Sequence, residues 1–197
     1  MSADYLIYDF ETFDVTPTAI VIAISIACGS FKKQGLEAAF EDVCLNARTY
    51  RIRVKTQTGR TTSKSTIDFW KGNPEAMEQI KNIPTQIDIL DLDKAFKEVM
   101  EQGGYTPNTT VWIRAPHFDH PMLADIMKNH IKSPLEAPYN HWNVRDVRTA
   151  LDVATGSKRG YPDNIEAIKQ QLGVVKHHPV HDIALDIALL DEFVYNI

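Results

Sequence analysis

The feature that most constrains the fold is an apolar run at residues 19–27, AIVIAISIA. A helix that crosses a bilayer needs about 20 apolar residues, so this run is far too short to span a membrane. The run is rich in isoleucine, and short apolar runs of this kind are typical of buried strands. We therefore predict a buried β-strand at residues 19–28 and a sheet around it.

Strands dominate the first third of the chain and alternate with helices later, which indicates an α/β or α+β layer fold. Further strands are predicted at residues 4–9, 49–55, 110–115 and 142–147. Helices are predicted to begin at Ser65 and after Asn73, and to span residues 91–102, 119–131, 163–172 and 180–196. The 197 residues contain no repeat or linker, so we expect one domain covering residues 1–197.

Composition excludes several classes of protein. The net charge of −5 does not indicate a general polyanion-binding protein. The two cysteines, Cys28 and Cys44, lack metal-type spacing and fit a reduced, cytoplasmic location. The N-terminus has no basic segment followed by an apolar stretch, so neither a secretory signal nor a membrane partner is expected.

The first predicted strand ends with two acids, Asp9 and Glu11. Residues i and i+2 of a strand point to the same side, so the two carboxylates project together. Like charges held close resist joint ionisation, and a divalent cation relieves the repulsion. Oxygen ligands favour Mg²⁺ or Mn²⁺. The alternative is that the strand ends there and both acids are solvated.

Two acids farther along the chain are further candidates. Asp119 follows a predicted strand and begins a helix, where it is either a helix cap or a metal ligand. Asp186 shares a helical stripe with apolar residues, so it needs a buried partner, either a basic side chain or a metal. His181 precedes Asp186 and is a candidate general base.

The spacing His-x4-Asp does not by itself identify the pair. It also occurs at His120/Asp125, His141/Asp146 and His177/Asp182. We select His181/Asp186 because only its aspartate lies within an apolar helical stripe. Asp182 is expected to face solvent and to complement the positive end of the helix.

A basic stretch lies between Asp42 and Asp68, where no acidic residue occurs. Arg51, Arg53 and Lys55 alternate along a strand and so share one face. This face is either a phosphate-contacting surface or a charged edge strand that resists aggregation. Tyr161, in a loop with basic residues, is a weaker candidate for stacking on a base.

Asp9-x-Glu11, Phe118-Asp119 and His181-x4-Asp186 run in the order of the histidine branch of the DEDD exonuclease superfamily. The segments KSTIDFW (64–70), NPEA (73–76) and WNVRDVRT (142–149) resemble a narrower group. These are the exonuclease A proteins of T-even-like phages and their exoribonuclease-like bacterial relatives. The chain departs from the family before Asp119, where RAPH (114–117) stands in place of small or amide residues.

The resemblance implies a ribonuclease-H-like α/β fold, with a five-stranded mixed sheet flanked by helices. It implies 3′→5′ removal of mononucleotides from single-stranded nucleic acid with a free 3′ end, in the cytoplasm, or the host cytoplasm if phage-encoded. Two Mg²⁺ or Mn²⁺ ions would be held by Asp9, Glu11, Asp119 and Asp186, with His181 as general base.

The resemblance leaves other roles open. Phe10 and Thr12 are candidates for positioning the terminal nucleotide, and Arg145 and Arg148 for contacting phosphate or bracing the acids. A homodimer is possible, and the preference for DNA or RNA is open, with DNA favoured. Two rival functions are a non-catalytic nucleic-acid-binding module of this fold and a structure-specific endonuclease.

Overall fold

The computed structural model describes residues 2–195 and has an α/β architecture. Residue 196, the last of the helix predicted at 180–196, lies outside the described residues, as do the two ends of the domain predicted at 1–197. Among the described residues, no helix is long and apolar enough to cross a membrane.

The core of the fold is a mixed sheet with the strand order β4-β3-β2-β1-β5-β6. Its strands are β1 (Tyr5–Thr12), β2 (Val21–Gly29), β3 (Arg48–Ile52), β4 (Gln86–Ile87), β5 (Thr110–Ile113) and β6 (Val144–Asp146). Strand β1 pairs antiparallel with β2 and parallel with β5, and β5 pairs parallel with β6. The apolar run at residues 19–27 supplies β2, as predicted.

The sheet has six strands rather than the five expected, while its mixed α/β architecture is as predicted. The additional strand is β4, which contains two residues and pairs with the edge of β3. Two residues are too few to show an alternating pattern in the sequence. The strand is recognised only by its hydrogen bonds to β3.

Eight α-helices of the described chain surround the sheet. They are α1 (Leu36–Asn46), α2 (Lys64–Gly72), α3 (Pro74–Lys81), α4 (Leu92–Gly103), α5 (Pro116–Asp125), α6 (Val147–Thr155), α7 (Ile165–Gln171) and α8 (Pro179–Leu190). Helices α4 and α5 cover one face of the sheet, and α1, α6 and α8 cover the other. Because both faces are covered, β2 is buried along most of its length.

The glycine pair at the end of α4 stops the helix as the sequence indicated. Gly104 has a φ of 79°, a left-handed conformation that favours glycine. A side chain on Gly103 would collide with the backbone of Cys28, so this glycine allows α4 to pack closely on β2.

Strand β1 determines where the acids lie. Its residues Leu6, Tyr8 and Phe10 point into the core under α4 and α5. Tyr5 and Ile7, which alternate with these residues and point to the other face of the sheet, pack against α8. Asp9 and Glu11 continue this second row, so their carboxylates face the side of the sheet that α8 covers.

Candidate active site

Three carboxylates meet at the end of β1. One oxygen from each of Asp9, Glu11 and Asp182 lies within 4.8 Å of the other two, and all three residues are half-buried. Asp9 and Glu11 come from β1, and Asp182 comes from the first turn of α8. We call these three residues the acidic cluster.

Burial and mutual repulsion raise the pKa values of the acidic cluster. Burial, followed by the charges of Asp119 and Glu11, raises the pKa of Asp9 well above its usual range. Burial and the charge of Asp182 do the same to the pKa of Glu11. Burial and Asp186 raise the pKa of Asp182 to about 6, although Arg114 and Lys169 oppose the shift. Repulsion of this kind is relieved by a bound cation.

The structure contradicts the expectation that Asp182 faces solvent. Asp182 points to β1 because it lies in the first turn of α8, on the face that packs against Tyr5 and Ile7. The third acid of the cluster is therefore Asp182 and not Asp186. Sequence reasoning missed it because the choice between the two relied on the apolar stripe around Asp186.

Asp186 has a different partner. It lies one turn farther along α8, is 4% exposed, and accepts hydrogen bonds from Arg114. The Arg114 Nε donates to both oxygens, at 2.8 and 3.0 Å, and Nη2 donates to Oδ1 at 2.6 Å. The buried partner that the sequence required is thus a basic side chain, which was the alternative to a metal.

Asp119 lies beside the acidic cluster on the neighbouring element. It is in the first turn of α5, is 2% exposed, and its Oδ1 accepts the backbone N–H of Phe10 at 3.2 Å. Burial raises the pKa of Asp119 to about 7, against the lowering effect of its backbone hydrogen bonds. This contact joins α5 to β1 and leaves the second carboxylate oxygen available.

His181 does not lie in the cleft that contains the acids. Its Nδ1 accepts the backbone N–H of Val175 at 2.9 Å, and its ring packs on Phe40 and His178. Burial and the neighbouring His178 lower the pKa of His181 to about 4. These contacts make it part of the local packing of α8.

His177 lines the same cleft as Asp9, Asp119 and Asp182. Its backbone has a φ of 58°, an uncommon conformation for a residue other than glycine. Its Nε2 is buried without a hydrogen-bond partner among the described residues, and its ring contacts Phe69 edge-on at 5.0 Å. Burial and Lys176 lower its pKa, which favours the neutral imidazole. The His177-x4-Asp182 spacing was visible in the sequence.

Phe10 and Thr12, the candidates for positioning the terminal nucleotide, make contacts within the protein. The Phe10 ring is buried, and its N–H is taken by Asp119. The Thr12 hydroxyl donates to the carbonyl of Asp14 at 2.6 Å, and the Thr12 carbonyl accepts Trp70 Nε1 at 2.7 Å. Both residues nonetheless line a groove of about 410 Å³ beside Glu11, together with Phe69 and Phe118.

The two candidate arginines, Arg145 and Arg148, lie in different places. Arg145 donates to the carbonyls of Trp142 and Val144 and lines a groove on the outer strand β6, away from the acids. Arg148 lines the cleft with the acids. Tyr161 is also in the cleft, but its ring is covered by the Arg114 guanidinium at 4.0 Å, so it is not free to stack on a base.

Three arginines of the basic stretch at residues 48–64 make contacts that serve the fold. Arg60 is buried and bonds to Asp125 at 2.7 Å and to the carbonyls of Ala19 and Pro17. Arg53 pairs with Asp88, and Arg51 donates to the carbonyl of Lys81. These contacts fasten the loop and β3 in place, so the interpretation as a phosphate surface has little support here.

Comparisons with known proteins identify relatives of this chain among the nucleases. The family model of the Rv2179c-like 3′-5′ exoribonuclease domain matches residues 4–193. The exodeoxyribonuclease of Enterobacteria phage T4 is 26% identical over 208 residues, which cover 95% of this chain and 87% of that protein.

Solved structures of exonuclease I share the fold. The E. coli enzyme in complex with a dA16 oligonucleotide is 12% identical and covers 99% of this chain with a TM-score of 0.61. The enzyme from Methylocaldum szegediense is 12% identical and covers 99% of this chain with a TM-score of 0.59. The chain spans 42% and 41% of the length of these two chains, about two fifths.

Proposed function

The chain belongs to the Rv2179c-like 3′-5′ exoribonuclease domain family, and we propose that it is a two-metal exonuclease that releases 5′-mononucleotides from single strands. The 3′→5′ exonuclease activity follows from the family. The observation that carries the metal-dependent mechanism is the acidic cluster, in which Asp9, Glu11 and Asp182 come together at the end of β1.

The residues present fit hard divalent cations. Within residues 2–195, none of the three carboxylates of the acidic cluster makes an ion pair with a basic side chain, and their pKa values are raised by burial and mutual repulsion. An all-oxygen donor set favours Mg²⁺ or Mn²⁺. Asp9, Glu11 and Asp182 would hold one ion, and Asp119 beside Asp9 is the carboxylate available to a second. Asp186 lines the same cleft, but both of its oxygens accept hydrogen bonds from Arg114, so we assign it to neither ion.

When bound, the ions supply positive charge that offsets the charge of the phosphate and of the attacking and leaving oxygens. His177 takes the proton from the attacking water, in place of His181. Its neutral imidazole has a lone pair to accept a proton, and its Nε2 has no other partner among the described residues. The Phe69 ring, which lines the neighbouring groove, contacts the imidazole edge-on at 5.0 Å.

The terminal nucleotide is proposed to lie in the groove beside Glu11. Phe69 and Phe118 provide apolar surface for a base, and Phe10 and Thr12 also line the groove. Stacking does not read base edges, so cleavage is expected to be independent of sequence. We propose DNA as the favoured polymer, on the support of the phage T4 relative, and RNA, which the family description names, as the second.

The experiment follows the products from matched single-stranded DNA and RNA labelled at the 5′ end, with Mg²⁺ or Mn²⁺. A ladder shortening from the 3′ end, with release of 5′-mononucleotides, is expected, and EDTA abolishes it. Asp182→Asn is expected to be inactive under the same conditions. Faster loss of RNA than of DNA would overturn the proposed preference.

A circular single-stranded substrate distinguishes the proposed exonuclease from the two rival functions, an endonuclease and a non-catalytic binding module. An exonuclease leaves the circle intact, and cutting of the circle would indicate an endonuclease instead. If the protein binds single strands but leaves both linear and circular substrates intact with either metal, it is a non-catalytic binding module and the proposed mechanism is wrong.

A further inference from the structure

The cleft lined by Asp9, Asp119 and Asp182 is larger than these acids need. Its volume is about 1110 Å³, and it extends from Asp9 past Arg114 to α7. Pockets for a single small ligand occupy about 300–1,000 Å³. The cleft therefore has room for more of a strand than its terminal nucleotide.

Three basic residues on elements other than β1 line the cleft. They are Arg148 on α6, Lys169 on α7 and Lys176 in the loop before α8, and we call them the cationic wall. The side chains of Arg148 and Lys176 make no hydrogen bond or ion pair in the described part of the chain. Lys169 pairs with Glu166 at 3.0 Å, but Glu166 is 83% exposed. A solvated pair of this kind contributes little and exchanges readily for another anion.

The contacts of Tyr161 and Gly160 fix the wall relative to the acids. The Tyr161 ring lies 4.0 Å from the Arg114 guanidinium and 5.3 Å from Lys169 Nζ. The Gly160 carbonyl accepts Arg114 Nη1 at 3.0 Å, and Arg148 packs so closely on Gly160 that a side chain there would collide with it. Arg114, itself bound to Asp186, is thus the link between α8 and the cationic wall.

We propose that the cationic wall binds the backbone phosphates of the strand upstream of the scissile bond. This inference rests on the proposed function, because the acidic cluster defines where the 3′ end lies. The acids of the cluster attract cations, whereas the wall offers the positive charge of Arg148, Lys176 and the solvated Lys169 to the following phosphates. A protein with a net charge of −5 thereby holds a polyanion along one surface only.

The position of the wall also gives the strand a direction. Phosphates enter past Lys176, which is exposed beside His177, and the terminal nucleotide ends in the groove beside Glu11. The affinity of the protein for a single strand should therefore increase with strand length until each residue of the cationic wall contacts a phosphate. A preference for long over short oligonucleotides follows from the contacts of the wall rather than from the chemistry.

The experiment measures kcat/KM for a ~20-nucleotide single strand at several salt concentrations, with Arg148→Met and Lys176→Met as separate variants. Loss of one phosphate contact is expected to reduce the slope of log(kcat/KM) against log[salt] by about 0.7. The effect should be carried by KM and should shrink as the strand is shortened to a dinucleotide. Arg148→Gln and Lys176→Gln repeat the test with polar side chains.

Lys55→Met is the matched control, because Lys55 is an exposed lysine of the basic stretch beside β3 and lies outside the cleft. Its salt slope should equal that of the wild type. Unchanged slopes for both wall variants, or a reduced slope for Lys55→Met alone, would overturn the proposal. An inactive wild-type protein would instead contradict the proposed function, so the two failures are distinguishable.

Discussion

His177 and His181 are four residues apart, but their surroundings give them different chemistry. His181 accepts a backbone hydrogen bond and packs between two rings, whereas the Nε2 of His177 is buried without a partner among the described residues, beside the cleft. Strained backbone such as that of His177 is often found at functional sites, where the surrounding structure maintains it. Position in the cleft, rather than sequence spacing, separates the two histidines.

Replacing each histidine by alanine tests this assignment. His177→Ala is expected to lower kcat by about 10²–10⁴-fold, the range for loss of a general base. His181→Ala is expected to lower the free energy of unfolding, because the Val175 N–H loses its acceptor, while kcat stays close to that of the wild type. Steady-state kinetics and urea unfolding of both variants provide the comparison, and a larger kcat loss in His181→Ala would reverse the assignment.

The site could be predicted from sequence in part. Asp9 and Glu11 followed from the two-residue period of a strand, and the structure brings them together as expected. The choice between Asp182 and Asp186 depended on which cation would meet a buried carboxylate. That cation is Arg114, separated from Asp186 by 72 residues, and no local pattern reports such a contact.

At the scale of elements, Arg114 holds three parts of the molecule together. It follows β5 directly, bonds to Asp186 on α8, and donates to the carbonyl of Gly160. Burial works against its charged form, but Asp186 outweighs burial and raises the pKa of the guanidinium. Burial raises the pKa of Asp186 and Arg114 opposes that shift, and the hydrogen-bonded pair fixes the orientation of α8, which carries Asp182 one turn away.

Breaking this pair should be costly. Arg114→Met leaves the Asp186 carboxylate buried and unpaired, for which a loss of about 3–5 kcal/mol in unfolding free energy is expected. Arg114→Met combined with Asp186→Leu removes both charges and should recover much of the loss. Urea denaturation of the three proteins measures it, and an Arg114→Met variant as stable as the wild type would show that the pair does not hold α8.

Most of the helices and strands could be predicted from the sequence. All five predicted strands are present, because long apolar or alternating runs carry their own signal. Strand β4 was missed because its two residues depend on pairing with β3, and α1 and α6 lie in segments that no prediction covered. Tertiary contacts, rather than local propensity, determine the shortest elements.

At the scale of the whole molecule, the acids make stability depend on pH and on metal. Burial raises the pKa of Asp182 to about 6 and that of Asp119 to about 7, against an ordinary value of 3.8. Between pH ~4 and ~7 the folded state thus retains protons that the unfolded state has released. Without metal, these groups stabilise the fold most at acid pH, and the contribution is lost as pH rises through this window.

Thermal unfolding tests this dependence. In EDTA, Tm is expected to fall as pH rises from about 5 to about 8, and Mg²⁺ or Mn²⁺ should raise Tm mainly at the higher pH, where the cation replaces the protons. Asp9→Asn should show a shallower fall in EDTA, because one charge is removed from the cluster. A Tm in EDTA that rises across the whole range, with no effect of metal, would contradict the electrostatic account.

Calorimetric titration of Mn²⁺ at neutral pH into the wild type, Asp182→Asn and Asp186→Asn tests the central claim most directly. If Asp9, Glu11 and Asp182 form the metal site, the wild type binds Mn²⁺, Asp182→Asn loses that binding, and Asp186→Asn keeps it, since Asp186 is already bound to Arg114. Circular dichroism confirms that each variant is folded. Loss of Mn²⁺ binding in Asp186→Asn, with binding retained in Asp182→Asn, would contradict the account.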